Sequence, residues 1–242
     1  MMRSSKLALV AACSVAATAI GAGCGGSSGS GSVVMSGTGA GNGMSGMSGM
    51  STGSSTSAVV TSPAADLQVT LDQLLGEHAL LAVSATQKGY DGSPDFNAVA
   101  KQLDANSVAL SKAIASIYGA KAGDQFLNGK NMWRDHIKDF VTYTVALKKH
   151  DQAGKDKAVT ALGAYVQQFG SFLAKATGLP ASAVQADLAE HVGQLKSQID
   201  HYAAGNYTQA AMDTNTAYQH MFMTGQILAT GITAQNPSKF MR

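Results

Sequence analysis

Cysteine is almost missing from this chain. Two occur in 242 residues, Cys13 and Cys24, too few for the disulfide framework that staples small secreted domains. Acidic residues are sparse, 15 in all and scattered, against 17 basic ones. No basic stripe exists to displace counterions from a phosphate backbone, so nucleic-acid binding is excluded. Templates for catalysis are missing too. There is no His-Glu-x-x-His, no pair of Glu-x-x-His motifs and no phosphate loop, and the Gly-x-Ser-x-Gly pattern occurs only at 25–29 and 49–53, within Gly/Ser-rich runs with no strand before them to make a nucleophile elbow. The expectation is a protein that is not an enzyme. No segment alternates apolar and polar residues with a period of two, which leaves no place for a sheet.

What is present begins with a leader. Arg3 and Lys6 supply a positive start, an apolar run covers 7–20, and Gly21, Ala22 and Gly23 precede Cys24. The run is too short to span a bilayer and reads as a removable export signal. Removing Arg3 and Lys6 leaves 15 basic against 15 acidic residues. The small residues before Cys24 resemble the lipobox of bacterial lipoproteins, with Gly21 where that pattern has Leu or Val. The resemblance implies that residues 1–23 are a signal peptide and that Cys24 becomes the lipidated first residue. The mature chain would then be exported and anchored by its lipid to the outer face of a bacterial membrane or cell envelope. Acyl chains bury methylenes at about 0.8 kcal/mol each, so two or three chains make a durable anchor.

Residues 24–65 form a tether. From 25 to 65 there is no charged residue; the stretch is Gly, Ser, Thr, Ala and Met with a few Val, one Asn and one Pro. Such a composition cannot bury enough apolar surface to offset its ordering entropy. A coil of this length spans roughly 35 Å. Met44, Met47 and Met50 stand three apart in it, with Met35 upstream. They resemble the methionine-rich extracytoplasmic segments of copper transporters, which implies soft-ion binding. As an alternative, they are merely part of a linker.

From residue 66 to 242 apolar residues recur at helical spacing, and Gly or Pro punctuates them. The pattern predicts six helices over 63–88, 93–118, 123–150, 155–177, 180–205 and 207–233. Gly89 stops the first, Ser93 caps the second with Pro94 in its first turn, and Gly178 ends the fourth. The helices pair. "LGEHALL", "WRDHIKD" and "LAEHVGQ" each put an acid and a histidine near the middle of an odd-numbered helix. "LDANSVAL", "LGAYVQQF" and "NTAYQHMF" follow at similar distances in the even ones. Three hairpins result, 66–118, 123–177 and 180–233, as diverged copies of one unit. The fold class is all-α, either a closed six-helix bundle or a short helical array.

The repeated histidines, His78, His136 and His191, lie on the apolar stripes of their helices. Buried there, each needs a hydrogen-bond partner. The adjacent Glu77, Asp135 and Glu190 point about 100° away on their own helices and can serve only a histidine of another. In an open array, equivalent positions are about 10 Å apart per neighbouring helix. That is too far for shared ligation near 2 Å. Only pseudo-threefold closure of a bundle lets the three rings share one ion. Nitrogens within about 4 Å favour a metal, and separations above about 8 Å leave packing alone. His220, Met221 and Met223 add an imidazole and two thioethers, a set that favours copper. Met221 and Met223 lie about 200° apart on a helix, however, and core packing is the alternative for both.

The sequence thus predicts a lipid-anchored, extracytoplasmic helical binding protein. Its candidate ligand is a transition metal, copper ahead of zinc. The rival is a structural or protein-interaction module of the cell envelope with no metal, and a redox-metal enzyme stands third.

Overall fold

The computed structural model describes residues 62–241. Cys24, Met44, Met47 and Met50, with the leader and nearly all of the tether, lie outside the described residues. Those described are all-α, with no strand among them, and none of their helices is long and apolar enough to cross a membrane.

The helices are α1 (Pro63–Asp91), α2 (Phe96–Tyr118), α3 (Ala120–Asn128), α4 (Trp133–Lys148), α5 (Gln152–Thr177), α6 (Ala181–Ala203), α7 (Tyr207–Gln235) and the single turn α8 (Pro237–Phe240). Local chemistry sets most of the ends. The Ser62 hydroxyl accepts from the Ala65 amide ahead of Pro63, and the Asp151 carboxylate accepts from the Gly154 amide. Each satisfies one of the amide donors that a helix start leaves free. Gly178 closes α5 at φ 71°, as its position predicts.

Three expectations are corrected. Gly89 does not stop α1. It stays helical and leaves room for the Phe96 ring, while the chain turns at Gly92, φ 74°. Ser93 does not cap α2, because its hydroxyl bonds the Asp95 carboxylate, which also pairs with Lys88 at 2.7 Å. The predicted third helix is two helices. The chain breaks over 129–132, where Asn131 takes φ 54° and its amide donates to Asp135 Oδ2 at 2.8 Å. Asp135, in the first turn of α4, thus satisfies the turn that precedes its own helix. This break puts Trp133 and His136 in that first turn.

Three hairpins, α1–α2, α4–α5 and α6–α7, close on one another. The second joins the third through α5 and α6, and the first joins the second through α1 and α4. The third returns to the first along α7 and α1. An open array would leave its first and last units apart, so the bundle alternative holds. The odd-numbered helices of the sequence pattern, now α1, α4 and α6, touch one another inside.

Two glycines let the closing seam form. A Cβ on Gly225 would stand 2.9 Å from the Asp72 amide nitrogen and 3.0 Å from its Cα, and one on Gly76 would stand 2.8 Å from the Tyr218 ring. Backbone cannot yield as a side chain can, so Gly225→Ala should cost about 1–3 kcal/mol by overpacking. Thermal denaturation would register that as a fall of about 5 °C in Tm. An unchanged Tm would mean that the seam is looser than described.

The core is layered. Leu71, Leu75, Phe126, Trp133, Phe169 and Leu188 belong to a large apolar cluster toward one end. Ala82, Phe140, Leu162, Leu195 and Ala217 form a smaller cluster one to two turns further on. On α1, α4 and α6 alike, one histidine lies between the two.

Candidate metal centre

The histidine between the layers is the repeated one. His78, His136 and His191 are 0%, 1% and 1% exposed. One nitrogen from each lies within 4.8 Å of the others, and no carboxylate or thiolate of the described residues joins that set. His78 Nε2 and His136 Nε2 are 3.3 Å apart. Two nitrogens bound tetrahedrally at 2.0–2.1 Å stand about 3.3 Å apart, so this pair already has a metal-chelating edge. His191 is set back. Its ring centre lies 5.8 Å from that of His78 and 6.4 Å from that of His136. The closest pair thus meets the distance expected of a shared ion, and the full set is slightly wider.

Aromatic rings wall the group. Trp133 lies 4.6 Å from the His78 ring and 4.9 Å from the His136 ring, with its indole N–H donating to Ser107 Oγ at 3.1 Å. Tyr165 stacks on His136 at 4.4 Å. Tyr165 is fully buried and its hydroxyl has no partner. Burial, and after it the charge of Asp187, holds that phenol well above its usual range.

Burial also sets the charge of the rings. It pushes His78 and His191 well below the ordinary imidazole range, with His136 beside the first and with His78 and His220 beside the second. For His136, burial and the neighbouring His191 bring the pKa down to about 3; the Trp133 carbonyl, too poorly placed to count as a hydrogen bond, pulls less strongly upward. Three neutral imidazoles result, each with one N–H and one lone pair. The Nε2–Nε2 contact uses two of their six nitrogens. The other four, His78 Nδ1, His136 Nδ1 and both of His191, have no hydrogen-bond partner. An unpartnered buried polar atom costs about 1–3 kcal/mol. This layer therefore weakens the fold. Groups of this kind mark sites where an ion or ordered water belongs.

Of the six side chains predicted as ligands in the helical part, three come together. His220 approaches His191 but lies outside the set. Its Nε2 is 3.1 Å from the Asp187 carbonyl oxygen and 3.5 Å from Asp187 Oδ1, and its Nδ1 is 3.7 Å from Glu190 Oε1. Thr224 donates to the same Asp187 carboxylate. Burial raises the Asp187 carboxyl, while His220 and Thr224 pull it back. Met221 is buried in the large apolar cluster, and Met223, 54% exposed, faces away from the core. The two thioethers diverge as their angular separation requires.

The acids beside the triad histidines serve elsewhere. Glu77 accepts from Asn106 Nδ2, Asp135 from the Asn131 amide, and Glu190 from Gln194 Nε2. Only Glu190 comes near a histidine of another helix, His220. Sequence reasoning placed Tyr165 as the repeat equivalent of Asn106 and Tyr218 without assigning it to the site. Its one-turn spacing to Phe169 is the only signal that it lies on a buried aromatic stripe. No family model, curated protein or solved structure matches the chain.

Proposed function

We propose that this protein binds a transition-metal ion, copper ahead of zinc, through His78, His136 and His191. The observation that carries the reading is the convergence of three buried, neutral imidazoles from three different hairpins. Core packing alone accounts poorly for it, because apolar side chains would fill the same layer without four partnerless nitrogens. In this reading His220 stands beside the centre with Asp187 and Glu190, and Met221 and Met223 take no part. The leader and lipobox support an exported, lipid-anchored binding protein, with the tether holding the helical body off the membrane.

Metal analysis of untagged protein tests the reading. Wild type should carry close to one equivalent of metal per chain after loading and desalting, and His136→Ala less than a tenth of that. Equal retention by both proteins would return the triad to a packing role and favour the helical interaction module.

A further inference from the structure

The ligand set also bears on which ion fits, an inference that rests on the metal reading above. We infer that the triad takes monovalent copper, held by three imidazoles with no fourth ligand.

The first reason is charge. The three rings are between 0% and 1% exposed. No acid of the described residues shares their 4.8 Å set. Glu77 and Asp135 are turned to Asn106 and the Asn131 amide, and Asp187 and Glu190 stand against His220. An ion entering this layer therefore keeps its full charge in an apolar surrounding. Desolvation cost grows with the square of the charge, so a divalent ion costs about four times as much as a monovalent one.

The second reason is coordination number. Zinc in protein sites is four-coordinate, and with three histidines it takes a water or hydroxide as the fourth ligand. Cupric copper prefers a tetragonal arrangement, which needs further ligands in or near one plane. Both need space beside the three nitrogens. Here Trp133 closes one side at 4.6 Å and 4.9 Å from two of the rings, and Tyr165 covers His136 at 4.4 Å. The space left beside His78 and His136 is a cavity of about 20 Å³ bounded mainly by apolar side chains such as Ala82, Leu103, Phe140 and Leu195, room for one water at most and without the several polar partners that would hold it. Cuprous copper has a filled d shell and no ligand-field preference, and two or three nitrogens satisfy it. The 3.3 Å edge with a third nitrogen set back suits an ion held firmly by two rings and completed by the third.

The test uses the full chain with Met44, Met47 and Met50 replaced by Ser, so that the tether does not compete for soft ions. Anaerobic competition of copper(I) against a chromophoric chelator should give one tight equivalent. Zinc(II) and copper(II), titrated separately, should bind at least 1000-fold more weakly. X-ray absorption of the cuprous form should show no more than three light scatterers at bonding distance. His136→Ala and His191→Leu should each weaken copper(I) binding at least 100-fold, with helical content by circular dichroism confirming that both fold. Zinc(II) or copper(II) bound as tightly as copper(I), or a fourth scatterer, would overturn the cuprous assignment and leave a metal site standing. Binding of none of the three ions would overturn both.

Discussion

Acid should unfold the metal-free protein between about pH 6 and pH 4, well above the range where carboxylates alone would act. The cause is the triad. In the unfolded chain each histidine takes up a proton near pH 6.5, whereas in the fold all three stay neutral to much lower pH. The unfolded state then binds more protons, and stability falls as the pH drops below about 6.5. His136, whose folded value is about 3, accounts alone for roughly 5 kcal/mol once the pH has fallen to that point. With all three histidines charging, the slope approaches about 4 kcal/mol per pH unit. A domain with 5–15 kcal/mol in hand is lost within a few units. Asp72, Asp139 and Asp187 act the other way. Burial raises their carboxyls in the fold, so protonation below about pH 5 favours the native state. They soften the low-pH end without moving the onset. Urea denaturation at half-unit intervals from pH 7.5 to 4.5 measures the slope. A flat profile down to pH 5 would mean that the rings are charged or hydrated in the fold.

Replacing one of the three should make the metal-free fold stronger. His191→Leu removes the ring whose nitrogens both lack partners and puts an apolar side chain of similar volume between Leu188 and Leu195, which are already buried. Relief of unmet hydrogen-bonding demand should raise stability at pH 7 by about 1–3 kcal/mol. The acid slope should drop by about a third, because one of three shifted protons is gone. Denaturant midpoints of the two proteins at pH 7 and pH 5 give both numbers. A loss of stability at pH 7 would reveal a hidden partner for His191 and argue for a structural histidine. The combination expected here, a sturdier protein that no longer holds metal, is the mark of a side chain kept for binding.

Much of the fold could be read from the chain because caps and apolar spacing act locally. Gly178 and Pro180 announce helix ends, and no competing period-two pattern exists. The break at 129–132 escaped because its signals, Asn128-Gly129 and Asn131, are short and lie within an apolar spacing that runs on past them. The repeat offsets of 58 and 55 residues marked His78, His136 and His191 as equivalent positions. Equivalence says nothing about convergence. That depends on whether the first and third hairpins meet, and the meeting is a tertiary event along α1 and α7. Gly76 and Gly225 carry it, yet a helical glycine reads in sequence only as a weak spot. The divergence of Met221 from Met223 was legible, since 100° per residue fixes it.

The ring of hairpins also orders events in the life of the molecule. His78 and His136 are made well before His191, and the seam that draws the inner helices together waits for α7, which follows all three. A chain cut before α7 can carry all three imidazoles, yet it lacks the seam that draws their helices together. On the metal reading, a fragment that lacks α7 should not hold the ion.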